Sequence, residues 1–268
     1  MKRSAISSLV FFMSINASIA GTMGSIDSSY DFDGFYFGLG SGFTSIYNRD
    51  TFSTTRSDGI PITAGDPDNR YTYTGALFTG NVGYGRMMFD KKTYLGVKGS
   101  LYYTPLETTN ETGFSTASTS TLLIIGNNTL TTKLNPIYNI DAVLGYEVIK
   151  HYLPFVEAGV SFADVKRSYQ LKRTRTNSAT PPTNVKYEND FSLGGYKTTY
   201  NVGAGLSYQP HENWFLSMEV VYNYLGKRSD SHGVLIPNTS TTETQSRMIM
   251  DQSSSMFLSV SYKPKWFA

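Results

Sequence analysis

Eight stretches of this 268-residue chain alternate apolar and non-apolar residues at period two, and in several the second face holds a charge among small residues. Alternation sustained that long marks strands with two unlike faces. In "GFYFGLGSGFTS" (34–45), Phe35, Phe37, Leu39 and Phe43 share one face, while Gly38, Gly40 and Gly42 share the other. Within 71–86, Ala76, Phe78, Val82 and Tyr84 oppose Thr79, Asn81, Gly83 and Gly85. In "YLGVKGSLYY" (94–103), Leu95, Val97, Leu101 and Tyr103 oppose Gly96, Lys98 and Ser100. In 134–148, Tyr138, Ile140, Ala142, Leu144 and Tyr146 oppose Asn139, Asp141, Gly145 and Glu147. The second half repeats the pattern. In "PFVEAGVSFA" (154–163), Val156, Ala158, Val160 and Phe162 oppose Glu157, Gly159 and Ser161. Further on, Tyr200, Val202, Ala204 and Leu206 oppose Lys197, Asn201, Gly203, Gly205 and Ser207. Leu216, Met218, Val220 and Tyr222 oppose Ser217, Glu219 and Asn223, and Met256, Leu258, Val260 and Tyr262 oppose Ser253, Ser255, Ser259 and Ser261.

In a soluble sheet the charged face looks at water and the apolar faces make a shared core. Here the charged face is also rich in glycine, which suits a crowded interior. The scheme therefore inverts: apolar residues face lipid and polar residues fill a narrow lumen. The mean hydropathy of −0.26 does not oppose this, because alternating strands leave no long hydrophobic run. The expectation is an all-β fold: one eight-stranded antiparallel up-and-down transmembrane β-barrel over residues 34–268. A ten-stranded ring stays open as an alternative, with an extra hairpin around "TLLII" (121–125).

The amino terminus fits an exported chain. Residues 1–20 read as a signal peptide, with Lys2 and Arg3 as the positive region, an apolar stretch peaking at Leu9–Met13, and small residues Ser18 and Ala20 before the cleavage point. Residues 21–33 then form a short periplasmic segment. Removing 1–20 takes away two of the 23 basic residues and none of the 21 acidic ones, so the mature chain is formally neutral. Neutrality argues against nucleic-acid binding. There are no cysteines, so no disulfide supports the fold.

The connections are asymmetric. Three are short (89–92, 149–153 and 209–213) and alternate with four long polar ones (48–69, 105–132, 164–194 and 226–247). Short turns in the periplasm and long loops outside are the habit of outer-membrane barrels. Aromatic girdles are expected from Phe89, Tyr94, Tyr152 and Trp214 near the turns, and from Tyr103, Tyr138, Tyr200 and Tyr224 towards the loops.

On "GFYFGLGSGF", "PFVEAGVSFA" and the terminal "FLSVSY", residues 34–268 resemble the small OmpA/OmpX-type outer-membrane barrels, which include opacity-like surface proteins. The resemblance implies residence in the bacterial outer membrane. It further implies outer-membrane lipid, lipopolysaccharide, the barrel-assembly machinery and host surface molecules as partners, and a monomer. Such barrels usually end on an aromatic residue, whereas here Ala268 follows Trp266 and Phe267.

The inward charges Lys98, Asp141, Glu147, Glu157, Lys197 and Glu219 are the first candidate constellation. Counted from the turns, Lys98 and Glu157 stand at similar heights and Glu219 slightly higher, so Lys98 is expected to bridge one or both glutamates. A plug of salt bridges and a narrow ion path are the two readings. A second constellation is Lys166, Arg167, Lys172, Arg173 and Arg175 in "DVKRSYQLKRTRTNS" (164–178), five cations against Asp164, where alternation suggests strands continuing beyond the membrane. These residues read either as a contact for phosphates or acidic glycans, or as a hydrated loop.

Similar barrels include lipid A palmitoyltransferases, lipid A deacylases and outer-membrane proteases, each needing an acid/base group near the outer rim. His151 and His211 fall in periplasmic turns, and His232 sits beside Asp230 and Ser231 in the last loop. Sequence neighbours rarely supply a triad, whose members must converge in space. No cofactor or metal motif is present; Asp58, Asp66 and Asp68 lack the spacing of a helix–loop–helix calcium site. The expected function is a non-enzymatic surface protein acting through its loops in structure, adhesion or host interaction. A small pore for ions or solutes is the alternative.

Overall fold

A computed structural model describes residues 32–56, 61–62, 68–88, 92–119, 122–177, 183–235 and 242–264. The signal peptide, residues 21–31 and the carboxy-terminal Trp266, Phe267 and Ala268 lie outside them. Among the described residues there are twelve strands: β1 (Gly34–Arg56), β2 (Pro61–Ile62), β3 (Asp68–Met88), β4 (Thr93–Tyr103), β5 (Glu107–Thr119), β6 (Leu122–Leu134), β7 (Ile137–Tyr146), β8 (Tyr152–Asn177), β9 (Thr183–Leu193), β10 (Tyr196–His211), β11 (Trp214–Leu235) and β12 (Thr242–Tyr262).

Eight of these close a ring. Antiparallel pairing runs β1–β3–β4–β7–β8–β10–β11–β12 and back to β1. The β5–β6 hairpin containing "LLII" stands outside the ring and pairs with β8 through β6. Eight strands, not ten, therefore surround the lumen.

The register fixes the barrel's shape. Starting at Tyr36, successive cross-strand partners are Gly83, Lys98, Asp141, Gly159, Asn201, Asn223, Ser253 and finally Ile46. One circuit thus returns to β1 ten residues beyond its start, a shear of 10 from the numbers 36 and 46. With eight strands that shear tilts each strand by about 40° and leaves an interior filled by side chains.

Alternation is realised as expected. Leu39 is 76% exposed and Val97 59%, with Phe78, Ile140, Val156, Tyr200, Leu216 and Leu258 on the same outer face. Among the described residues nothing packs over this outer face, so lipid is what removes it from water. Aromatic pairs close the lower edge of this belt: Tyr152 stacks on Tyr208 at 4.7 Å and Trp214 lies 4.8 Å from Tyr262. Towards the loops, Tyr200 stacks on Tyr224 at 5.1 Å. Tyr94 corrects the expected girdle, because it points inward and is buried. Its parity is that of Lys98, and Gly85 on the next strand makes room: a Cβ at Gly85 would land on the Tyr94 ring, as one at Gly83 would on Tyr36. Phe89 lies outside the described residues.

A charge placed on the belt tests the orientation. Val97→Arg is expected to destabilise the refolded barrel by about 2–4 kcal/mol, as arginine does at a bilayer midplane. Val97→Leu should leave stability nearly unchanged. Urea titration in lipid vesicles, read from the folded band in unheated gels, measures both.

Where described, the long connections are paired strand. β1 and β12 stay in register to Arg56 and Glu243, β11 and β12 to Leu235 and Thr242, and β8 runs to Asn177 between β6 and β9. A tilted crossing needs about 9–11 residues, whereas β8 has 26 and β11 has 22. Roughly half of each projects beyond the belt as hydrogen-bonded hairpin. Their Thr- and Ser-rich composition suits extended backbone with both faces wet.

Candidate functional site

Two charged layers and two apolar ones fill the lumen. Lys98, Glu157 and Glu219 each lie five residues beyond the first residue of an upward strand, Thr93, Tyr152 and Trp214. Equal tilt turns equal count into equal height, so the three meet across the barrel. The Lys98 ammonium contacts Glu219 at 2.5 Å and also pairs with Glu157. All three are buried, and the ammonium lies 5.7 Å from the centre of the Phe155 ring. Asp141 stands beside this layer, accepting a hydrogen bond from the Asn201 amide.

Two charges of the expected set stand elsewhere. Glu147 follows the end of β7 at Tyr146 and caps the turn, accepting a 2.9 Å bond from the His151 backbone N–H. Lys197 has inward parity but sits at the outer rim, where its ammonium donates to the Lys227 carbonyl. Height along the strand removed both from the network: one lies past the end of β7 and the other at the start of β10.

Below the charged layer, Phe32, Tyr36, Met87, Tyr94, Val143, Leu153, Phe155 and Phe215 make one buried cluster. The ring of Phe215 lies 5.1 Å from Tyr36 and 6.3 Å from Phe32. Phe32 therefore belongs to the barrel floor and not to a free periplasmic segment. Above the charges, Leu77, Tyr102, Ile137, Val221 and Phe257 pack with Ile46, Leu134, Ala163, Val165 and Leu225. The inner face is thus not uniformly polar, as alternation alone implied. In a bore this narrow the side chains exclude water and must pack on one another.

A column of amides and hydroxyls runs past the upper apolar layer. The Asn139 amide donates to Asn223 Oδ1 at 2.9 Å, Ser161 donates to the same oxygen at 3.1 Å, and Asn223 donates to Ser253 at 3.4 Å. Ser255 donates to Thr44 at 2.9 Å. These buried asparagines show inward parity in the sequence, yet carry no charge to mark them as a network.

The second charged layer holds the largest correction. Arg167, expected among surface cations, is 2% exposed and points into the lumen mouth. Its guanidinium donates to Asp251 and, at 3.2 Å, to Asn48 Oδ1. Asp251 is fully buried and sits opposite Asn48 in the β1–β12 register. Nearby, Asp164 is buried too, accepting from the Asn135 amide at 2.6 Å and from the Gly195 N–H at 3.1 Å. It ties the start of β7 and β10 to β8.

The five cations consequently do not form one patch. Lys166 and Lys172 are exposed, while Arg167 shares the odd parity of Glu157 and Ser161. Arg173 and Arg175 lie on β8 opposite Gly126 and Ile124, and their side chains are outside the described residues. His232 also falls within a strand, opposite Gln245, and its side chain lies outside the described residues. Of the three loop aspartates, Asp58 and Asp66 lie outside the described residues. Among those described, no trio of His, Cys, Asp or Glu converges as metal ligands.

A closed ring with an apolar outer belt and a packed polar-and-charged bore defines an outer-membrane-type β-barrel. No protein-family model matches this sequence, and no curated protein does either. Solved structures similar to it are bacterial outer-membrane barrels. Neisserial surface protein A is 13% identical, covering 84% of this chain and 99% of that one, with a TM-score of 0.34. OprG from Pseudomonas aeruginosa is 10% identical, covering 89% and 100%, at 0.44. The protease OmpT from Escherichia coli is 10% identical, covering 91% and 100%, at 0.40. The fold assignment rests on this chain's own ring and belt.

Proposed function

We propose that this chain is a non-enzymatic surface protein of the bacterial outer membrane, closed to solutes, whose work is done by its projecting hairpins. One observation carries the reading. The bore is filled at four successive levels, by the aromatic floor, the Lys98 layer, the upper apolar cluster and the Arg167–Asp251 layer, while the strands continue well beyond the belt. Side chains that seal a bore leave the outer surfaces to interact. Outer-membrane lipid and lipopolysaccharide would touch the belt and its rim, where the exposed Lys166 can meet phosphates. Host surface molecules are the partners the hairpin tips would meet, and the barrel is expected to work as a monomer assembled by the barrel-assembly machinery.

Planar-bilayer recording of the refolded protein tests closure. The expected result is a silent membrane for the wild type and for Lys98→Ala, since the apolar clusters remain above and below the substituted side chain. Steady conductance altered by Lys98→Ala would instead make the lumenal charges a selectivity element and the protein a small pore. Binding of the refolded protein to lipopolysaccharide vesicles in low salt, with Lys166→Ala and Lys172→Ala alongside, tests the rim.

A further inference from the structure

Three carboxylates, Glu157, Glu219 and Asp141, share the lower charged layer with one ammonium, Lys98. The Asn201 amide softens Asp141 but brings no charge, and Tyr36, Tyr94 and Tyr102 face the same space only as hydroxyls. Negative charge sealed in a narrow bore needs a positive counterpart. Next to Lys98 and Glu219 lies a cavity whose volume for water is about 30 Å³, space for roughly two waters. Its upper wall carries Asn81, Ser207, Ser217 and Ser261 with Glu219 and Lys98, and the rest of its lining is the floor cluster, including the Tyr36 and Tyr94 rings. Asn81 is 8% exposed and its Oδ1 accepts no hydrogen bond. Ser207 and Ser217 bond to each other at 2.7 Å, which leaves oxygen lone pairs on both.

We propose that this cavity binds an alkali cation, sodium or potassium. Its ligands would be the Glu219 carboxylate, Asn81 Oδ1 and the serine hydroxyls. Hard oxygens, mostly neutral, with one carboxylate are the chemistry that such an ion takes, and a potassium ion is about as large as a water molecule. Lys98 stands on the same wall, but it is matched by two carboxylates, and Asp141 adds a third negative charge nearby. The ion offsets one of the two negative charges that Lys98 leaves unmatched and ties β3 to β10, β11 and β12, none of whose residues Lys98 itself bridges beyond Glu219. The site is independent of whether the barrel conducts, so its failure and that of the closed-lumen reading are separately visible.

Crystals of the refolded barrel grown in thallium(I) acetate, with thallium standing for potassium, give the direct test. The expected result is an anomalous peak between Asn81 and Glu219; an ordered lumen with no peak overturns the proposal. In solution, the unfolding midpoint at fixed pH and ionic strength is expected to rise by several degrees, saturably, when N-methylglucamine is replaced by sodium or potassium. Asn81→Leu and Glu219→Gln should abolish that rise while still giving a folded band. A midpoint that ignores cation identity and follows only pH assigns the missing charge to protons and overturns it equally.

Discussion

Lys98→Ala is expected to lower the stability of the refolded barrel by about 3–5 kcal/mol, the typical loss when one partner of a buried ion pair is removed. The loss arises less from the missing attraction than from what stays behind. Glu157 on β8 and Glu219 on β11 are both buried and both meet Lys98, so its removal leaves two carboxylates without that cation in a water-poor bore. The combined variant Lys98→Met, Glu157→Gln, Glu219→Gln takes away the charges together and should recover much of the loss. Urea unfolding of both variants in vesicles decides. If Lys98→Ala alone were neutral, the layer would have to be hydrated and the bore open at that height.

The same residues show how far the sequence reached. Period-two alternation gave all eight ring strands and placed Lys98, Glu157 and Glu219 on the inner face. Counting from the turns gave Lys98 and Glu157 one height, while Glu219, expected slightly higher, stands level with them. Parity was equally informative for Tyr94, Arg167 and the asparagines 139, 201 and 223, but other cues pulled against it. An aromatic beside a turn reads as girdle, and an arginine in a run of cations reads as surface. Parity also has a limit at irregularities. Between Tyr224 and Gly226 the β11–β12 register shifts, with Gly226 at φ +94° and Leu225 turned inward. An extra residue of this kind exchanges the two faces of everything beyond it, and composition does not announce it. The hairpin extensions were hidden for a different reason. With both faces in water, no alternation is required of them, so Thr- and Ser-rich strand and Thr- and Ser-rich loop look alike until the pairing is seen.

Arg167 lies on one of these hairpin extensions, and its substitution separates anchor from contact. Arg167→Ala is expected to destabilise the barrel by about 3–5 kcal/mol, comparable with Lys98→Ala, because the fully buried Asp251 would lose the Arg167 guanidinium from its surroundings. The effect should be concentrated at the mouth. β8 carries β6 and β9 on its outer half, so releasing Arg167 loosens that four-stranded flap and exposes it to protease before the transmembrane ring unfolds. Arg167→Met with Asp251→Asn removes both charges and should restore most of the stability and the protection. A ligand contact predicts the opposite ranking: Arg167→Ala would weaken binding to anionic vesicles with stability intact, and the double variant would bind no better. Limited proteolysis and vesicle binding measured on the same three proteins therefore assign the residue. The expected outcome, cleavage of the single variant only and equal binding by all three, would assign Arg167 to the anchor and leave any phosphate contact to exposed cations such as Lys166.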